Sequence, residues 1–233
     1  MSEDFRKFLP EDMACDCVNP AKIKYDQNVG ILKFLEKAFA KACIPEEYEG
    51  MCFKGWDGHV DKDYLRFVEQ RFIDIDGIKK RGFLFAGQAG VGKTHMAVSI
   101  MNGLMIRHRL RALYVDVVEL LSELRESYNT NRTEGGFSEL AIIKRYQRSP
   151  VLLLDDISVE KTSEWVRDRI FQIVNWRYSN KLITLATSND HPEDLVDKLG
   201  LRTVSRLNGL MDFVEIEGDD KRGKVATGDD SPR

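Results

Sequence analysis

Cysteine is scarce: Cys15, Cys17, Cys43 and Cys52 are the four in 233 residues. That count excludes a disulfide-stapled scaffold, and a chain kept in a reducing compartment would carry them as thiols or metal ligands. Long apolar runs are missing too. No stretch approaches the roughly 18–20 apolar residues of a helical membrane span. The opening MSEDFRKFLPEDMACDC is acidic and mixed, without the apolar centre of a signal peptide. The expectation is a cytoplasmic protein with no membrane partner. Positive charge is not in excess, with 35 Lys and Arg against 38 Asp and Glu and a net charge of −3. Nucleic-acid binding by overall charge is therefore excluded, and would need a local basic patch or an assembled oligomer.

What is present is an ordinary globular composition, 42% hydrophobic and 31% charged, enough for a packed core. There is no internal repeat and no low-complexity segment. Residues 1–27 show no sustained period. Ile31, Phe34, Leu35, Ala38 and Phe39 then recur at helical spacing, and Ile44-Pro45 is expected to end that helix. A second helix is expected over Asp63 to Phe72. From Arg81 onward, short apolar runs (GFLFAG, ALYVDV, PVLLLDD, KLITLATSN, MDFVEI) alternate with helical stretches at 93–108, 117–128, 138–147 and 163–179. Apolar strands separated by helices signal an α/β fold with a parallel sheet covered on both faces. NTNRTEGG, 129–136, breaks the helical pattern and reads as a surface loop.

One loop carries explicit chemistry. Gly87-Gln88-Ala89-Gly90-Val91-Gly92-Lys93-Thr94 fits G-x-x-x-x-G-K-[ST], with a strand before it and a helical stretch after. Glycines let the backbone N–H groups converge on phosphates, and the helix N-terminus adds partial positive charge. Lys93 would reach the β- and γ-phosphates, and Thr94 would offer its hydroxyl to Mg²⁺. The expected ligands are ATP and Mg²⁺.

About 60 residues later, VLLL ends in Asp155-Asp156. Carboxylates at the C-terminal end of a neighbouring parallel strand lie where open α/β sheets bind ligands. Asp155 would hold Mg²⁺ through water, and Asp156 would orient or activate the attacking water. Adjacent strand residues point to opposite faces, so their roles should differ. Thr187-Ser188-Asn189 is a polar tip on a further apolar run. Arg202 and Arg206, four apart, share one face of a helix. Either a solvated basic face or an arginine acting on phosphate charge fits that spacing.

P-loop, Asp-Asp strand, Thr-Ser-Asn strand and Ser-Arg-Leu before a final strand, in that order, resemble the AAA+ ATPases. More narrowly, Gly-Lys-Thr-His (92–95), Leu-Leu-Leu-Asp-Asp-Ile (152–157), Val-Ser-Arg-Leu (204–207) and Ile-Pro-Glu-Glu-Tyr (44–48) are similar to the DnaC/DnaI-type replicative helicase loaders and IstB-type transposition ATPases. The resemblance implies a P-loop AAA+ core with a five-stranded parallel sheet in the order 5-1-4-3-2, lacking a full C-terminal lid. Residues 43–233 would form that ATPase domain, and residues 1–42 an N-terminal extension for partner binding. The resemblance makes Asp155 the metal residue and puts Asp156 where the family usually has glutamate. Asn189 becomes a sensor, and Arg206 a finger acting on ATP held by the neighbouring subunit. His95 and Arg222 join the nucleotide contacts. It also implies ATP hydrolysis, slow alone and stimulated by oligomerisation or DNA. The implied partners are a hexameric helicase, single-stranded DNA and further copies of the chain.

Two alternatives stay open: a transposition helper of the IstB type, and a P-loop small-molecule kinase. Zinc held by Cys15-x-Cys17 with Cys43, Cys52 or His59 is open as well. The usual paired C-x₂-C spacing is absent, so buried free thiols are favoured. The clusters Arg107, His108, Arg109, Arg111 and Lys144, Arg145, Arg148 read first as cations at helix C-termini.

Overall fold

A computed structural model describes residues 29–52, 82–130, 138–159, 162–218 and 220. Within it, helix α1 spans Val29–Phe39. Leu35 and Ala38 are buried, and Phe34 and Phe39 pack on the core beside them. The helix stops before the expected Ile44-Pro45. Its last bonds tighten to Lys41 N–H on the Ala38 carbonyl and Ala42 N–H on that of Phe39, and Cys43 then takes φ 56°. The expected helix over Asp63 to Phe72 lies outside the described residues.

Five strands follow: β1 (Gly82–Ala86), β2 (Ala112–Asp116), β3 (Val151–Asp155), β4 (Ile183–Ser188) and β5 (Asp212–Glu215). Every pairing is parallel, and the order is β2-β3-β4-β1-β5. Read from the other edge, this is the expected 5-1-4-3-2. β1, β3 and β4 are buried along their whole length, which accounts for continuous apolar runs in place of alternation.

Helices cover both faces. Helix α2 (Lys93–His108) lies with α1 on one face, over Phe83, Phe85, Tyr114, Leu153 and Leu185. Helices α3 (Val117–Thr130), α4 (Glu139–Arg148), α5 (Glu164–Ser179), α6 (Leu195–Leu199) and α7 (Leu201–Leu210) follow in chain order. Side chains of all five pack on the other face, over Leu84, Leu113, Val115, Leu152 and Leu154. Ser138 and Ser163 cap α4 and α5 by accepting from Ala141 and Val166 N–H. Helix α3 runs on to Thr130, so the expected loop at 129–136 begins later than its asparagine suggested; 131–137 lie outside the described residues. Arg107 and His108 occupy the last turn of α2, and Arg145 and Arg148 that of α4, where cations meet the negative helix end.

The segment between α1 and the sheet is fastened to it. The Ala42 carbonyl accepts from Tyr114 N–H at 2.7 Å, on β2, the outermost of the described strands. The Met51 carbonyl accepts from Asn102 Nδ2 at 3.0 Å. Among the described residues no helix is long and apolar enough to cross a membrane.

Candidate functional site

The loop from Gly87 to Gly92 joins β1 to α2 at the C-terminal end of the sheet. Its glycines are there for backbone reasons. A Cβ on Gly87 would stand 2.1 Å from the Ile216 carbonyl oxygen, which the chain leaving β5 lays across the loop. Gly92, the residue before α2, holds φ 100°, a conformation that costs an L side chain about 1–2 kcal/mol. The first-turn N–H groups of α2 have no partner within the helix and supply the positive end of its dipole. Lys93 is buried, with Nζ donating to the carbonyls of Gly87 at 2.9 Å and Gln88 at 2.7 Å. This bends the ammonium over the loop it follows.

A cavity of about 700 Å³ opens here, within the usual range for small-molecule sites. Ala89, Gly90, Gly92, Lys93, Thr94 and His95 line one side; Asp116, Asp155, Asp156, Thr187 and Asn189 line another. Thr94 Oγ1 donates to Asp155 at 3.0 Å (Oδ1) and 3.3 Å (Oδ2), closing the distance between loop and β3. Two further hydroxyls hold the same carboxylate: Thr187 Oγ1 on Oδ1 at 2.6 Å and Tyr114 on Oδ2 at 2.8 Å. Burial, and then the Asp155 charge, push the Tyr114 hydroxyl far above its usual pKa, so it stays a donor. Thr94 and Asp155 together present hard oxygen donors beside a buried lysine. That donor set fits Mg²⁺ shared with phosphate oxygens, since Mg²⁺ needs only one or two protein carboxylates.

Asp156 departs from the expectation of an opposite face. The strand ends at Asp155, and Asp156 takes φ 48°, which turns its side chain into the same cavity. Its Oδ1 accepts from Ser158 Oγ at 2.9 Å and from Asn189 Nδ2 at 3.1 Å. Its own N–H donates to Thr187 Oγ1 at 2.8 Å, so Thr187 links both aspartates. Burial raises the Asp156 pKa most, the Asp155 charge adds to this, and the Ser158 hydrogen bond opposes it. A carboxylate so placed is a stronger base than a solvated one.

The sequence-expected residues sort into four groups. Asp155, Asp156, Asn189, Lys93, Thr94 and His95 meet at the cavity, with His95 Nε2 3.0 Å from the Cys52 carbonyl oxygen. Gly87 and Gln88 frame the loop, while Val91 is a buried core residue at its base. Arg206 lies elsewhere: on α7, its Nε donates to Asn175 Oδ1 at 3.1 Å, and its guanidinium sits 4.9 Å above the Tyr178 ring. Arg202 likewise stacks on Phe171. Arg222, Cys15, Cys17 and His59 lie outside the described residues. Cys43 is a free, exposed thiol and not the expected buried one, because the left-handed turn holds it outward; Cys52 is free and half-buried. Sequence reasoning gave no site role to Tyr114, Asp116, Ser158 or the pocket wall of Glu47, Tyr48 and Met51. The available signals were a tyrosine hydroxyl inside the apolar run ALYVDV and the Ile-Pro-Glu-Glu-Tyr motif, which holds Glu47 and Tyr48.

Known proteins resemble this chain in sequence and fold. The chain is 29% identical over 184 residues to the replicative helicase loader DnaC of Escherichia coli (strain K12), spanning 78% of this chain and 70% of that protein. The crystal structure of the DnaC helicase loader superposes with a TM-score of 0.64 at 23% identity, covering 74% of this chain and all (100%) of that one. The crystal structure of DnaI gives a TM-score of 0.62 at 26% identity, covering 77% of this chain and 95% of that chain. The fold is thus that of the AAA+ P-loop domains. The sequence profile of the IstB-like ATP binding proteins matches residues 71–225. That match takes in the phosphate loop, the acidic strand and all five strands, about two thirds of the sequence, and the chain belongs to the IstB-like ATP binding protein family.

Proposed function

We propose that this protein is a cytoplasmic, replication-linked AAA+ ATPase of the helicase-loader type. It would bind ATP with Mg²⁺, engage a hexameric replicative helicase and single-stranded DNA, and hydrolyse ATP in an assembly of its own copies. The observation that carries the reading is the contact of Thr94 with Asp155 beside Lys93, which brings a phosphate cradle and a metal-holding carboxylate to one cavity.

In this reading the loop N–H groups and Lys93 hold the β- and γ-phosphates. Thr94 and Asp155 hold the metal, which when bound neutralises charge on the phosphate oxygens. Asp156, steadied by Ser158 and Asn189, accepts a proton from the attacking water. Arg206 lies outside the cavity of its own chain, which supports a role toward ATP on a neighbouring copy. Residues 43–233 would form the ATPase domain and residues 1–42 a partner-binding extension. The family match also keeps a transposition helper in view, and partner capture separates the two.

Calorimetry with Mg-ATP tests the core of the proposal. Lys93→Ala removes a charged donor and should weaken binding by roughly 10–100-fold, the worth of one charge-assisted hydrogen bond or somewhat more. Arg206→Ala should keep ATP binding and lose turnover by about 10³-fold or more. Binding of Mg-ATP equal in wild type and Lys93→Ala would overturn the site. Failure to retain a hexameric helicase in the presence of ATP would overturn the partner assignment alone.

A further inference from the structure

One hydroxyl on Asp155 comes from a strand that the phosphate chemistry does not otherwise use. Tyr114 lies on outermost strand β2, buried on the face that α2 covers. The register sets it opposite Leu153. Its hydroxyl therefore reaches diagonally, two residues up the neighbouring strand, to Asp155 Oδ2 at 2.8 Å. Thr187 takes the other oxygen, Oδ1, at 2.6 Å. A carboxylate has about four lone-pair sites. One donor fixed on each oxygen sets the plane of the group and turns the remaining sites toward Thr94 and the cavity. A phenylalanine at 114 would pack the same way and leave Oδ2 without that donor.

Tyr114 is itself held from outside the core. The Tyr48 ring lies 6.1 Å from the Tyr114 ring at 57°, in the 3₁₀ turn Glu46–Tyr48. The segment carrying it is fixed on both sides, by the Ala42 carbonyl on Tyr114 N–H and the Met51 carbonyl on Asn102.

We propose that Tyr114 is a positioning residue for the metal-holding carboxylate of Asp155, and that Tyr48 seats it, so that the segment 42–52 sets how tightly the site takes its divalent ion. This deepens the proposed function and rests on its assignment of Asp155 to the metal. Hydrogen-bond partners of a metal-ligating group change metal affinity by about 10–100-fold when removed.

The experiment measures ATP binding to the full chain by calorimetry across a MgCl₂ series and in EDTA. It compares wild type, Tyr114→Phe, Tyr48→Ala and Asp155→Asn. In Tyr114→Phe the Mg²⁺ concentration for half-maximal enhancement should rise about tenfold, with ATP affinity in EDTA unchanged. A structural role alone would lower both together. Tyr48→Ala should shift the Mg²⁺ midpoint in the same direction by a smaller factor. A wild-type midpoint in Tyr114→Phe, with Asp155→Asn shifted, overturns the positioning role. An unshifted Asp155→Asn overturns the metal assignment beneath it, and the proposal falls with it. If Tyr114→Phe does not fold, Tyr48→Ala decides: an unshifted midpoint there overturns the proposal.

Discussion

Strand β4 carries a buried threonine toward each end, and the two belong to opposite worlds. Thr187, at the C-terminal end, donates to Asp155 beside an open cavity. Thr184, at the other end, accepts from Nε of Arg177 at 2.8 Å in a sealed interior where Arg177 is 0% exposed. The remaining Arg177 donors go to the carbonyls of Tyr146, Gln147 and Ser149 and to that of Ile183. Tyr146 and Gln147 end α4, whose last carbonyls lack helical partners and favour a cation. Burial lowers the Arg177 pKa and works against its charge, yet every side of the fork is used. At one end of the sheet polar groups point at something to be bound; at the other they are spent on joining α4, α5 and β4. Buried polarity alone does not mark a site. Polarity that converges on open space does.

The largest expected break in this comparison is Arg177→Met. It strands the α4 carbonyls in a dry interior and should cost about 3 kcal/mol or more in urea unfolding. Asp155→Asn should cost far less in the same assay, since its hydroxyl partners can rotate, while shifting the Mg²⁺ midpoint of ATP binding to higher concentration. The paired threonines sharpen the contrast. Thr184→Val should lower stability by about 1 kcal/mol with Mg-ATP affinity unchanged. Thr187→Val should lower stability similarly and also weaken Mg-ATP binding, because both aspartates lean on that hydroxyl. Equal effects of the two on binding would erase the distinction.

The smallest effect concerns acid. Burial first, and the Asp155 charge as well, make the folded chain hold the Asp156 proton more tightly than an ordinary aspartate does. Between the unfolded and the raised folded pKa, the folded state carries more protons. That stability is complete below the unfolded pKa and is lost as pH rises through the folded one. Thermal unfolding across the mildly acidic range should show this fall in wild type and a flatter profile in Asp156→Asn.

The cavity end was largely legible in the sequence, and the sealed end was not. The phosphate loop is written in consecutive residues, and the Asp155-Asp156 pair stands out at the tip of an apolar run, so local pattern sufficed. Strand and helix positions follow from periodicity for the same reason. Arg177 reads as one more polar position in α5, and nothing nearby in sequence announces the carbonyls it joins. Tyr114 acquires its role only through the β2–β3 register, and Ser158 only through the left-handed turn at Asp156. Tyr48 was visible as the end of the Ile-Pro-Glu-Glu-Tyr motif, but its contact with the Tyr114 ring depends on how that segment packs, which the motif does not encode.

The carbonyl of Ala42 on the outer side of β2 has one more effect. An outermost strand with free amide groups is a template for adding a foreign strand, and here the donor at Tyr114 is already engaged by the chain's own upstream segment. Copies meeting at this flank would have to interlock by their side chains, since continuous strand pairing is blocked there. A lesion that peels this segment away would therefore uncover a sticky seam and, on the role proposed for Tyr48, loosen the ion site as well, making clumping an early symptom of damage there.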